Sequence, residues 1–139
     1  NHYRHDNEPG HHFVYLYNHC NRLDITQSKI PGIIEANYKN KPDGLSGNDD
    51  CGQMSAWYLF SALGFYPLTP ASGEYALGIP RFKEVTIDLG HSKPLVIKAP
   101  EVGKKSLLTK VTFEGKLIDR TFIPVKQILE GGVLEFRSK

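Results

Sequence analysis

The chain has only two cysteines, Cys20 and Cys51, so a disulfide framework is excluded. No apolar run approaches the roughly 18 residues that cross a bilayer, and no membrane partner is expected. Repeats and low-complexity tracts are absent. With 40 % hydrophobic and 23 % charged residues in a length of 139, the composition is globular and not disordered. The start, Asn1-His2-Tyr3-Arg4-His5-Asp6, is polar, with neither a signal peptide nor an initiator methionine. The sequence therefore reads as an excised fragment or a processed product. Two histidines at four-residue spacing with a Glu between them, the helical zinc pattern, do not occur. The ligand ladder of an EF-hand is missing too.

What is present is unevenly spread. Residues 1–80 carry eight acids and five Lys/Arg, and residues 81–139 carry twelve Lys/Arg and seven acids. Eleven of the fifteen aromatics and five of the six histidines lie before residue 81. The basic half spaces its lysines singly along alternating segments, without clusters or interleaved aromatics, so it reads as a solvated sheet face and no nucleic-acid partner is expected.

The hydrophobic period changes near residue 82. Before it, three helical segments are expected. The first starts at Asn7-Glu8-Pro9 and runs to about Cys20, since Pro9 suits a first turn. The second starts near Thr26 or Ser28, with Ile30, Ile33, Ile34 and Tyr38 at helical spacing and Pro31 in its first turn. The third spans about Gln53 to Leu63, with Gly64 as its C-cap. Residues 65–82 read as irregular. From residue 84 the period is two: strands are expected at 84–89, 95–99, 108–113, 116–118, 121–123 and 133–137, with a helical turn at 125–129. The fold class is α+β, divided at 82/83, with an antiparallel β segment after the division.

Chemistry can sit at two places. In Asn7-Glu8-Pro9-Gly10-His11-His12, neighbouring histidines on a helix point about 100° apart and do not easily grip one ion. Both histidines also read as hydrogen-bonding residues at a helix end. His2 and His5 lie in a terminus without a helical template. Glu8 opens a helix, where the dipole favours a carboxylate. It can serve a hard cation such as calcium, a sugar hydroxyl, or only the helix. The second place is Asn48-Asp49-Asp50, ahead of the third helix in a Gly-rich loop. Either one Asp caps the helix while the other is solvated, or one is a general base kept ionised by the helix dipole. Tyr15, Tyr17, Trp57, Tyr58 and Tyr66 lie in the same segments, and aromatic faces beside carboxylates suit sugar rings. Core packing is the plain alternative, favoured by spacing for Trp57.

At these residues the sequence resembles family 92 of the glycoside hydrolases, calcium-dependent exo-acting α-mannosidases. The resemblance is carried by Asn7-Glu8-Pro9-Gly10-His11-His12, by Tyr15-Leu16-Tyr17 with Thr26-Gln27, and above all by the stretch from Pro42-Asp43-Gly44 through Gly47-Asn48-Asp49-Asp50-Cys51-Gly52-Gln53-Met54-Ser55-Ala56-Trp57 to Gly64-Phe65-Tyr66-Pro67. Tyr75 to Pro80 and Gly131 to Phe136 also fit. The resemblance implies a much longer enzyme in which an N-terminal β-sandwich precedes an (α/α)6 barrel. This chain would be the last barrel helices (1–82) and a closing β segment (83–139). It implies cleavage of terminal α-mannosidic bonds, α-1,2 in type, with inversion. Asp50 takes the position of the base, with Asp49 beside it and Asn48 where some members carry a second Asp. The general acid, a Glu, would lie outside this chain. Glu8, His11, His12 and Gln53 fall where the family contacts sugar, and Glu8 where it contacts calcium. A secreted or periplasmic location and a mannose-containing glycan partner, beside the rest of its own polypeptide, follow from the same resemblance. The alternative reading is a non-catalytic carbohydrate-binding or structural domain.

Overall fold

In the helical part, Leu23, Thr26, Gln27, Ile30 and Ile34 recur at helical spacing and form the buried face of α1 (Leu23–Asn37). A computed structural model describes residues 3–91, 93–103 and 107–138; His2 lies outside them. α1 starts earlier than the expected Thr26 or Ser28. Arg22 pairs with Asp24 at 2.8 Å in the first turn, where an acid suits the dipole. Ser28 is no cap, since its hydroxyl donates to the Ile25 carbonyl at 2.7 Å. Pro31 therefore lies inside the helix, where it costs about 3 kcal/mol. Bonds made by the buried residues of the helix offset this. The Gln27 amide donates to the carbonyls of Gly78 and Leu108, and its oxygen accepts the Leu108 N–H, all at 2.8–3.0 Å.

The first expected helix is instead two 3-10 segments, Glu8–Gly10 and Phe13–Cys20. Aromatics, Asn and His hold an α-helix weakly, and tertiary bonds win. Asn18 is buried and donates to the carbonyls of Leu77 and Thr121, both at 2.8 Å. Its own side-chain oxygen accepts from Thr26 at 2.7 Å. α2 (Gln53–Leu63) keeps its expected bounds, closed by Gly64 at φ +95°.

Two sheets follow. β1 (Phe65–Tyr66), β2 (Glu74–Leu77) and β7 (Phe122–Pro124) form an antiparallel sheet in the order β1-β2-β7. Residues 65–82 are thus not irregular throughout. Strands of two and four residues are too short to show a period, and β7 lies far along the chain. The second sheet contains β3 (Glu84–Ile87), β4 (Leu95–Lys98), β5 (Lys110–Phe113), β6 (Lys116–Leu117) and β8 (Gly132–Arg137), in the order β3-β4-β8-β5-β6. The expected all-antiparallel arrangement is corrected at one pair: β8 runs parallel to β4 and antiparallel to β5. β4 and β5 point in opposite directions, so a strand between them must run parallel to one. α3 (Val125–Glu130) connects β7 to β8.

The aliphatic core crosses residue 82. Leu23, Phe65 and Leu77 pack with Leu95, Ile97, Leu108, Val111, Ile123, Leu134 and Phe136. The described helices, α1 and α2 with the short α3, are elements that can line a barrel, and they do not close one by themselves.

Candidate active site

The acidic loop is built between the N-terminal segment and α2. A bridge between Tyr38 and Leu45 closes the turn after α1, with Lys39 N–H donating to the Gly44 carbonyl at 2.8 Å. The loop then rests on the N-terminal segment. A Cβ added to Gly47 would lie 2.9 Å from the Cβ of Asp6, so only glycine fits. Asp6 itself is held by Arg4 at 2.6 Å, and that hydrogen bond keeps its carboxyl below the usual range.

The start of α2 leaves N–H groups that need acceptors. Gly52 at the N-cap has no side chain to offer. The two aspartates supply the acceptors instead. The Asp49 carboxylate takes the Ser55 N–H at 2.9 Å. The Asp49 carbonyl takes those of Gly52 and Met54, and the Asp50 carbonyl takes that of Gln53. To wrap the helix start this way, Asp50, Cys51 and Gly52 turn left-handed in succession, with φ of +49°, +57° and +92°. Two of these carry side chains, at a cost of about 1–2 kcal/mol each. The outcome separates the pair: Asp49 is half-buried and committed to the helix, and Asp50 is exposed.

Below the loop lies a polar network. The Tyr38 hydroxyl donates to the Met54 carbonyl at 2.9 Å. That leaves it as acceptor toward His5 Nε2, 2.7 Å away. His5 Nδ1 then accepts from the Tyr3 hydroxyl, also at 2.7 Å. His11 Nε2 donates to the His5 carbonyl at 2.8 Å, so its Nδ1 accepts from the Gln53 amide at 3.1 Å. The same amide reaches the Tyr66 hydroxyl at 3.3 Å. Trp57 Nε1 donates to the His11 carbonyl at 3.0 Å. Burial, with the His11 ring 4.6 Å from it, pushes His5 down to about 4. Burial likewise raises the hydroxyls of Tyr3, Tyr15, Tyr38 and Tyr66, leaving them firmly protonated.

The residues singled out from sequence fall into two groups. Asp50, Asn48 and Glu8 are exposed, and His12 is half-buried with its ring against Phe13 at 4.7 Å. His11 is buried with both ring nitrogens occupied inside the molecule, and Gln53 is bonded to it. Of the aromatics, Tyr15, Trp57 and Tyr66 are core residues; Tyr17 is exposed and Tyr58 half-buried. Tyr38 and Tyr58, 5.1 Å apart, line a groove of about 440 Å³ with Lys39, Asn40, Ser55 and Arg81, on the side where Asp49 caps. His5 and Tyr38 were not legible as partners. They are 33 residues apart, and Tyr38 carries a helical periodicity that hides its hydroxyl.

Calcium takes six to eight oxygen ligands. Among the described residues no three His, Cys, Asp or Glu side chains gather to hold a metal. Glu8, exposed, offers one carboxylate oxygen donor toward such a set.

Residues 1–139 match the family described as the glycosyl hydrolase family 92 catalytic domain. A GH92 α-mannosidase of Bacteroides thetaiotaomicron, solved in complex with mannoimidazole, superposes with a TM-score of 0.87 at 37 % identity, covering 99 % of this chain and 18 % of that one. An inverting GH92 mannosidase of the same bacterium gives 0.86 at 33 % identity, over 96 % of this chain and 18 % of that one. An uncharacterized secreted glycosidase of Arthroderma benhamiae is 27 % identical over 93 % of this chain and 17 % of its own length. The chain thus spans less than a fifth of each of these relatives. The match over the whole chain, acidic loop and both sheets included, assigns it: this chain belongs to the catalytic domain of glycosyl hydrolase family 92.

Proposed function

We propose that this chain is the C-terminal part of the catalytic region of an exo-acting α-mannosidase, contributing the last helices of an (α/α)6 barrel and a closing β segment. In this reading the full-length protein hydrolyses terminal α-mannosidic bonds, α-1,2 in type, of a mannose-containing glycan with inversion. The α-mannosidase and inverting-mannosidase relatives support the reaction class. The secreted fungal relative supports a secreted or periplasmic location.

The observation that carries the residue assignment is the division of labour in Asp49-Asp50. Asp49 is consumed by the helix start, while Asp50 is exposed on a turn fixed at both ends. Asp50 is then the general base. It accepts a proton from water as the water oxygen bonds to the anomeric carbon from the face opposite the leaving group. The glycosidic C–O bond breaks, its electron pair goes to the leaving oxygen, and a carboxylic acid elsewhere in the polypeptide protonates that oxygen. Such a pair stands roughly 6.5–9.5 Å apart to admit the water. Asn48, next to the base, supplies an amide to the same face; Glu8 and His12 line the sugar side. Calcium, when bound by the full-length protein, would polarise sugar hydroxyls, with Glu8 giving one ligand.

The test is Asp50→Asn in the full-length protein, assayed on an aryl α-mannoside. It keeps size and hydrogen-bonding shape but removes the proton acceptor. A fall in kcat of about 10²–10⁴ with little change in KM is expected. Near-normal kcat overturns the assignment. Asp49→Asn, the control, is expected to cost clearly less, and the reverse order would mean that Asp49 is the base. The 139-residue chain alone is expected to show no appreciable turnover, because it lacks the general acid.

A further inference from the structure

We propose that Tyr38 and His5 are positioning residues for Asp50, acting as a brace on the first turn of α2; this rests on the reading of Asp50 as the base. The joint is Met54. Its N–H is taken by the Asp49 carbonyl at 3.1 Å and its own carbonyl by the Tyr38 hydroxyl at 2.9 Å. Both faces of one peptide position, directly after the left-handed turn, are therefore tied. One tie leads back into the acidic loop and the other into the molecule.

The brace is directional and continues inward. Tyr38 has spent its only proton on Met54, so it must receive one from His5 Nε2. His5 in turn accepts from Tyr3. The ring planes fix the same geometry by packing. Tyr38 stacks on Trp57 at 4°, and the His5 ring meets Trp57 edge-on at 4.2 Å. The load on this brace is the strain of Asp50 and Cys51 at φ +49° and +57°. A left-handed residue with a side chain relaxes toward right-handed geometry when nothing holds its neighbours. Release at Met54 gives the turn that freedom, and the Asp50 carboxylate moves. Misplacement of a reacting group by about 1 Å costs up to about 10²-fold in rate. Neither Tyr38 nor His5 need touch substrate for this.

The experiment uses the full-length protein and an aryl α-mannoside. Tyr38→Phe keeps the ring stack and removes the hydroxyl. It is expected to lower kcat about tenfold with KM within about twofold. His5→Leu is expected to do the same, and His5→Gln, whose amide can donate from the Nε2 position, to recover to within about threefold of the parent. Tyr38→Phe placed on Asp50→Asn is expected to cost less than about twofold more, because the group it positions is gone. Unchanged kcat in Tyr38→Phe beside a crippled Asp50→Asn overturns the brace and leaves the base assignment standing. Equal losses in His5→Gln and His5→Leu overturn it in favour of simple ring packing. A further tenfold loss in the double variant overturns it as well, since Tyr38 would then act on something other than Asp50. A fully active Asp50→Asn overturns the base assignment itself and the brace with it.

Discussion

The two regions of the molecule bury their interiors with different chemistry. Around the five-stranded sheet the buried residues are aliphatic or Phe: Leu95, Ile97, Leu108, Val111, Leu134 and Phe136. Around α1 and the 3-10 segments a core of Val14, Tyr15, Ile30, Ile34, Trp57 and Tyr66 is interleaved with buried polar side chains. Among the described residues His5, His11, Asn18, Thr26, Gln27 and Ser61 are buried there, against Thr121 alone beyond residue 82. Every buried side-chain nitrogen and oxygen among the described residues has a partner. Aliphatic packing is non-directional and tolerates sliding. Hydrogen-bonded packing fixes angles and punishes loss of a single partner. The region that carries the acidic loop uses the second kind beside its apolar packing.

Volume-conserving substitutions break this comparison most sharply. Gln27→Met keeps the length of the side chain but strands the buried Leu108 N–H and two carbonyls. At about 1–3 kcal/mol for each orphaned group, a loss of at least about 3 kcal/mol is expected. Leu134→Met is expected to cost under about 1.5 kcal/mol. Urea unfolding of both variants of the chain checks the ranking, and equal losses would erase the distinction between the regions.

Acid distinguishes the regions next. His5 sits near 4 in the fold against an ordinary 6.5, so the unfolded chain binds its proton first. Its contribution to stability is complete above the ordinary histidine range and is lost as pH falls from 6.5 toward 4. Glu114 is depressed by the Val133 N–H it accepts and by Lys93. Its contribution is complete above about 4.5 and is lost as pH falls from there through its lowered value, so it holds over the upper part of the His5 window. Amide protection of residues 54–58 should therefore fall between pH 6.5 and 4.5, with protection of residues 133–136 holding. Protection that falls in both together would show the two regions unfolding as one.

The smallest effect is a change of sign. Cys51 and Glu114 both adopt left-handed backbone, at φ +57° and +49°. Cys51 is exposed, so Cys51→Gly relieves strain at little loss and should raise stability by up to about 1 kcal/mol. Glu114→Gly relieves the same strain but removes the bonds to Val133 and Lys93, and should lower stability. Thermal melts of the two variants moving in the same direction would refute this.

What could be read from sequence follows the same divide. Period-two alternation announced β3, β4, β5 and β8, because one face of each strand is more buried than the other. The bounds of α2 were legible from Met54, Trp57, Phe60 and the closing Gly64. The start of α1 was not, because Gln27 and Thr26 are polar residues facing inward and no hydropathy pattern marks them. The 3-10 geometry of 13–20 was missed for the same cause: Asn18 is tied to carbonyls of Leu77 and Thr121, which sequence spacing does not reveal. In the acidic loop, the local pattern allowed a cap and a solvated partner without saying which aspartate was which. That choice depends on the left-handed turn at 50–52. The parallel partner of β8 was likewise invisible, since alternation does not encode direction.

The central place of β8 in the five-stranded sheet has a consequence for the order of assembly. It is the last of the five strands to be synthesised, yet it separates β4 from β5. Until it arrives, the sheet exists only as two hairpins, β3–β4 and β5–β6, each with one unpaired inner edge. Bare strand edges invite pairing with other chains. Completion of this region therefore waits for residues 132–137. Any ribosomal pause or truncation directly ahead of them leaves two adhesive edges and an uncovered aliphatic face, while the buried polar groups around α1 have their partners at Leu77, Gly78, Leu108 and Thr121 already in hand.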